Sequence, residues 1–337
     1  MSRSSILNFE SLDGFKPRVP ATLLAVAGIV VALELCFRLI PEKKLVPNVS
    51  RQGEIFFMEK EVLAKFNAPE IVFLGSSRVR RAIVPAKLDE QLGKPKGSTI
   101  NLGLAMARPY ESLYLYERNE PALKNAKVVV FNVDEWFVSS GPKISNSLYE
   151  THGPLLERLD YPERMRTRLF LDGLFTMRVM AKLVPGAVFG RKNDVQNLKL
   201  DANNQVVPPP GEGKLEAYGD HVAMFYDRFD VNVVMLDHIE KLAEKVKANG
   251  GRFVLLQLPN RAAYQTEVEK NHRAEYERER EAIGALALKL SVPFWSYRLP
   301  AELGLNDDDY EDYGHMTPGG AEKTTTFIGE KIRALKP

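Results

Sequence analysis

Five short runs of apolar, β-rich residues divide this chain: Ile71 to Leu74, Thr99 to Leu102, Val128 to Val133, Phe253 to Leu258 and Val292 to Trp295. Each has the length and composition of a strand in a parallel sheet buried on both faces. Helical patterns lie between them. Pro109 to Ala122 opens on a proline, which a first helical turn tolerates. Val233 to Asn249 repeats Met235, Ile239, Leu242 and Val246 and carries Lys245 and Lys247 ahead of Gly250, a good stop signal. Ala262 to Leu290 is dense in alternating charge, which predicts a solvated helix face with apolar contacts only toward its end. Thr317 and Pro318 form a cap and first-turn pair for a last helix whose Ile328, Ile332 and Leu335 share a face. Strand and helix alternating in this way require an α/β fold, an open sheet with right-handed crossovers.

The third and fourth runs stand far further apart than one crossover needs. Residues 139–230 therefore read as an insertion over one end of the sheet, with a helical part from Leu155 to Leu183 and a loop from Asp194 to Gly213 that ends in PPPGEG. Such an insertion forms a lid or substrate platform, or equally a structural cap or partner surface. Ahead of the first strand, Glu54 to Phe66 has the spacing of an amphipathic helix through Phe57, Val62 and Phe66. Further upstream, Val19 to Ile40 is about 20 residues of apolar sequence, enough to cross roughly 30 Å of hydrocarbon as a helix. Its two charges, Glu34 and Arg38, sit four apart on one face where they pair, and Arg38 is near enough to the end to snorkel. A single-pass anchor is expected in preference to a buried core helix or a cleaved signal peptide, since no small-x-small site follows the run. The order is then a tail over 1–18, an anchor over 19–40, a linker over 41–53 and one domain over 54–337.

Bulk charge excludes little beyond nucleic acid. With 46 basic and 44 acidic residues the net charge is +2, and no face is forced to be basic. Lys16 and Arg18 before the anchor are balanced by Lys43, Lys44 and Arg51 after it, so charge does not orient the span. Cys36 is the only cysteine, which rules out an intramolecular disulfide and a cysteine metal cluster. The five histidines have no metal-ligand spacing and no Gly-rich phosphate loop is present, so no cofactor is called for.

Chemistry concentrates where the first strand ends. In IVFLGSSRVR the apolar run breaks at Gly75 and presents Ser76, Ser77, Arg78 and Arg80 at the carboxyl end of a strand, where open α/β sheets bind ligands. A serine needs a general base held in the correct tautomer by a third group. Among the histidines, His238 and His272 lie in helices rich in charge and are expected at the surface, while His152 and His221 fall in the insertion without a flanking pattern. His315 differs. It lies in the glycine-punctuated loop EDYGHMTPGG before a capped helix, with Asp312 three residues earlier, a spacing that returns the carboxylate to the imidazole. Arg78 and Arg80 are candidates for holding a substrate carboxylate or phosphate, or for pairing with nearby acids such as Glu111.

Gly75-Ser76-Ser77 after the first strand, Asn101-Leu102-Gly103 after the second, and Asp312-Tyr313-Gly314-His315 near the end resemble, in this order, the SGNH superfamily of serine esterases and acyltransferases. With the anchor and FLGSSRVR, the chain is similar to its membrane-anchored bacterial branch, which includes alginate O-acetylation proteins and the D-alanyl transfer protein of teichoic acid synthesis. The resemblance covers roughly 71–133 and 253–335. It implies a flavodoxin-like three-layer sandwich on a mostly parallel five-stranded sheet. It also implies Ser77 as nucleophile, His315 as base, Asp312 as its orienter, and an oxyanion hole from the backbone of Ser77 and Gly103. Ser76 replaces the family's usual aspartate. Where the family has G-x-N-D, this chain has FNVDEWF, so that either Asn132 supplies the third donor or Asp134 occupies its place. The implied activity is transfer of an acyl group, most simply acetyl, to a cell-envelope polysaccharide. The periplasmic face of the inner membrane and a multi-spanning acyl-donor protein as partner come with it; an esterase using water and a non-catalytic glycan- or partner-binding scaffold are the alternatives.

Overall fold

The computed structural model describes residues 21–39, 51–66, 68–134, 137–139, 148–149, 153–160, 170–171, 199–202, 206–207, 218–227 and 229–335. Helix α1 spans Ala21–Leu39, and α2, Arg51–Phe57, leads into the domain. The domain is built on strands β1 (Ile71–Leu74), β2 (Thr99–Asn101), β3 (Val128–Asn132), β6 (Arg252–Gln257) and β7 (Phe294–Ser296), with a small hairpin, β4 (Lys199–Leu200) and β5 (Val206–Val207), between the third and fourth of them. The order in the main sheet is β2-β1-β3-β6-β7 and every pairing is parallel. Chain direction across the sheet therefore reverses between β1 and β3, which opens a crevice at their carboxyl ends.

The sheet is apolar on both faces because helices cover both. Successive side chains of a strand point to opposite sides. Val72 and Leu74 of β1 accordingly join one core with Phe131 and Leu255, under α5 (Pro109–Arg118), α7 (Val233–Ala248) and α9 (Arg273–Leu290). Ile71 and Phe73 join a second core with Val130 and Leu256, under α3 (Ser77–Ala82), α4 (Pro85–Gln91) and α10 (Pro318–Ala334). Three layers result. The helix ends follow their capping signals: Asn232 Oδ1 accepts from Val234 and Met235 at the start of α7, and Thr317 Oγ1 accepts from Gly320 at the start of α10.

Several local expectations need correction. The segment expected as one amphipathic helix over 54–66 contains a π-helical turn, Met58–Val62, and a 3-10 turn, Leu63–Lys65. The wider turn rotates the buried face, so Ile55, Met58, Val62 and Leu63 are inside while Phe57 and Phe66 are only partly covered. The charged stretch from 262 is two helices, α8 (Ala262–Asn271) and α9, and it is not merely a solvated face. Tyr264, Tyr276 and Glu279 are buried, and the Glu279 carboxyl accepts from Tyr226 Oη at 3.1 Å and Gln257 Nε2 at 3.0 Å. Charge alternation hides these inward residues because their partners lie on other elements.

The insertion's neck is closed by an antiparallel bridge between Ser139 and Val231. Its stretch 194–213, expected as loop, holds the β4–β5 hairpin with Val206 buried. Most of the helical stretch expected from Leu155 to Leu183 lies outside the described residues. Helix α6 (Gly219–Tyr226) brings the insertion back to the domain. At the other extreme, Leu23, Leu24, Val26, Ile29 and Val31 of α1 are 58 to 61% exposed. Among the described residues no helix is long and apolar enough to cross a membrane, so the single-pass anchor expected over 19–40 is not borne out by α1.

Candidate active site

The turn after β1 is shaped by Gly75. Its φ of +134° is one that side chains rarely adopt, and a Cβ there would stand 2.8 Å from Asn132 O. Ser76 follows as the N-cap of α3, its Oγ accepting the Arg78 N–H at 3.1 Å. Ser77 is the first residue of that helix, at the crevice between β1 and β3. The loop before α10 supplies the opposing groups. Asp312 Oδ1 accepts the backbone N–H of Gly314 at 2.9 Å and of His315 at 2.8 Å, so the carboxylate closes its own turn. Its other oxygen, Oδ2, lies 2.6 Å from His315 Nδ1.

The last contact completes a line. His315 Nε2 lies 2.8 Å from Ser77 Oγ. A carboxylate accepts, so Nδ1 carries the proton and Nε2 presents its lone pair to the serine hydroxyl. Burial of Asp312 pushes its carboxyl up, but the hydrogen bond and charge of His315 and the two backbone amides outweigh this and hold it below the usual carboxylate range. The line runs from a 5% exposed Asp312 through a His315 side chain that is 20% exposed to a partly exposed Ser77. A polar chain of this kind can pass a proton between the imidazole and an accessible oxygen, with the buried carboxylate stabilising the imidazolium.

The structure disposes differently of the other expected site residues. Arg78 is 1% exposed; its Nη1 lies 3.2 Å from Asp134 Oδ1 and its Nη2 donates to Leu258 O at 2.9 Å and Pro259 O at 3.1 Å. Arg80 is also buried and pairs with Glu54 rather than Glu111. Of the two alternatives for these arginines, a substrate clamp or pairing with nearby acids, the buried pairs with Asp134 and Glu54 match the second. The expected oxyanion donors are engaged as well: the Gly103 N–H donates to Asn101 Oδ1 at 3.1 Å, and Asn132 Nδ2 donates to Asp134 Oδ1 at 2.7 Å. Asp134, facing Arg78 and the Ser76 hydroxyl, is tied beneath the turn. The Ser77 amide stands in the first turn of α3, where an N–H has no partner within the helix.

Sequence reasoning also misplaced two histidines. His238, expected at the surface, is 1% exposed with Nε2 2.6 Å from Glu157 Oε1. His272 is half-buried, near Asp227. His221 lies closer to the site than its sequence suggested: its ring centroid is 4.1 Å from that of Tyr313, which in turn lies 6.2 Å from His315. That contact joins the insertion to the His315 loop, and nothing in the sequence around His221 announces it. His152 lies outside the described residues. Among the described residues no group of three metal-ligating side chains comes together.

No family model matches the chain, and no curated protein does. Solved structures similar to the chain include these three. A protein of Bacteroides fragilis described as an acylhydrolase is 14% identical with a TM-score of 0.40, over 82% of this chain and 94% of that one. A GDSL-like lipase of Bacteroides thetaiotaomicron is 14% identical with a TM-score of 0.41, over 84% and 98%. A Slackia heliotrinireducens protein described as an SGNH hydrolase is 17% identical with a TM-score of 0.40, over 79% and 100%. These are likenesses of backbone, and the chemistry below rests on the side chains of this chain.

Proposed function

We propose that this chain is an SGNH-type serine enzyme of ester chemistry, carrying an acyl group, acetyl first among them, through an ester on Ser77 to a hydroxyl of a cell-envelope polysaccharide. One observation carries the proposal: Ser77 Oγ, His315 and Asp312 are aligned at 2.8 and 2.6 Å at the carboxyl end of a parallel sheet. In the first half-reaction Ser77 Oγ bonds to the acyl carbon as its proton passes to His315 Nε2. Asp312 stabilises the imidazolium, and the proton then leaves with the departing oxygen of the donor. In the second, the acceptor hydroxyl gives its proton to His315 and takes the acyl carbon, and Ser77 recovers its hydrogen.

Transfer rather than hydrolysis is the reading favoured by α1. Its apolar side chains are exposed and suit a lipid-facing segment, although no described helix is long and apolar enough to cross a membrane; a domain held at a membrane meets a membrane-borne acyl donor at high local concentration. The partner is then a multi-spanning acyl-donor protein, with the domain on the extracytoplasmic side of a bacterial inner membrane. An aryl acetate offered with a competing glycan tests this: acetyl is expected on the glycan, and free acetate alone would make the chain an esterase. A non-catalytic scaffold is the second reading, favoured by the commitment of the Gly103 and Asn132 donors to neighbouring side chains. A serine-directed fluorophosphonate separates it: labelling of wild type but not of Ser77→Ala supports the enzyme, and equal labelling of both sinks it.

A further inference from the structure

The helix that follows α1 reaches into the site. Glu54 of α2 is 2% exposed, and its two carboxylate oxygens serve two different elements. Oε1 accepts from Arg80 Nη1 on α3, and Oε2 accepts the backbone N–H of Ala105 at 3.0 Å. Ala105 belongs to the loop after β2, which is pressed against the serine turn. Leu104 N–H donates to Gly75 O at 2.9 Å, and a Cβ on Gly103 would stand 2.6 Å from Ser76 O. The next residue, Met106, is 36% exposed and has a φ of +51°, in the left-handed region a methionine seldom enters. A backbone of that kind persists only where its surroundings over-determine it, and such residues gather at functional sites. Glu54 is one of those constraints, and it acts on the loop and the serine helix at once.

We propose that Glu54 is a positioning residue for the ester chemistry: it fixes the Gly103 to Met106 loop against the Ser77 turn, so the segment after α1 sets the wall beside the reacting carbonyl. This rests on the reading of Ser77 as nucleophile. The role belongs to the acceptor oxygen at Ala105, not to the ion pair with Arg80, and two uncharged double variants separate the two. Glu54→Met with Arg80→Met replaces the pair by apolar side chains of similar reach and removes the acceptor. Glu54→Gln with Arg80→Met also removes the pair but leaves an amide oxygen for Ala105.

Aryl acetate turnover by the full chain in detergent is expected to fall about 30- to 100-fold in kcat in the first double variant, as misplacement of a reacting wall by about 1 Å does. KM is expected to stay within about threefold. The second should retain kcat within about fivefold, with urea midpoints of the two alike. Equal kcat in the two double variants overturns the proposal, as does a loss in both that follows their unfolding midpoints. Wild type that neither turns over the ester nor takes a fluorophosphonate on Ser77 overturns the nucleophile reading, and the positioning role with it.

Discussion

Ser76 and Ser77 are neighbours in the chain and opposites in surroundings. Ser76 is fully buried; its hydroxyl faces the Asp134 carboxylate, itself held by Asn132 and by the Arg78 guanidinium, and its oxygen caps α3. Ser77 is partly exposed and its hydroxyl meets an imidazole. The first serine lies in a closed network in which a buried guanidinium lies against the carboxylate. The second lies in an open line whose middle member is an imidazole, a group with a ring nitrogen that can accept the hydroxyl proton. The chemical identity of the two side chains is the same. What separates them is the partner's ability to take a proton and the access of a second molecule to the oxygen.

Removing one hydroxyl from each environment should therefore read out on different axes. Ser77→Ala is expected to lower ester turnover by about 10⁵-fold, roughly 7 kcal/mol of barrier, while shifting the urea midpoint by the equivalent of less than about 0.5 kcal/mol. Retention of more than a hundredth of the activity would break the comparison at its centre. Asp134→Ala acts on the closed side: it strands the Arg78 charge in a dry site and should cost about 3–5 kcal/mol of unfolding free energy in urea. A loss under about 1 kcal/mol would mean that the carbonyls of Leu258 and Pro259 suffice for Arg78.

Ser76→Ala is the smaller cut into the same network. It removes the N-cap acceptor of α3 and one donor to Asp134, worth together about 1–2 kcal/mol in thermal or urea unfolding. Turnover per folded molecule should stay within about tenfold of wild type. A loss matching that of Ser77→Ala would reverse the assignment of the two serines.

What the sequence made legible follows from range. The strands could be read because a doubly covered sheet demands continuous apolar runs, and Val128 to Val133 has no other reason to be so apolar. Asp312 and His315 could be read because their contact spans three residues and closes its own turn. The ties of Arg78 to Asp134, Arg80 to Glu54 and His238 to Glu157 could not, because each joins elements distant in the chain and a charge carries no mark of its partner. For the same reason two arginines beside a serine suggested a substrate clamp, and Asn132 a free donor. The place of Gly103 was readable, since only a residue without Cβ fits 2.6 Å from Ser76 O, but the capture of its N–H by Asn101 was not.

The open line should also differ from the closed network in how its stability titrates. Asp312 has its native carboxyl held below the ordinary value of 3.8, against the upward push of burial, by the His315 hydrogen bond and charge and by the amides of Gly314 and His315. A carboxyl depressed in the folded state binds fewer protons there than in the unfolded chain, so its contribution to stability is complete above the unfolded value. It disappears as pH falls from about 3.8 through the lower native value. Unfolding free energies of wild type and Asp312→Asn measured in urea should accordingly differ by a constant amount above about pH 5 and converge below pH 4. Among these effects this is the smallest. A difference that stays constant down to pH 3 would show that the carboxylate is not the acceptor that the 2.6 Å contact with His315 Nδ1 makes it, and the open line would then lack the group that orients its base.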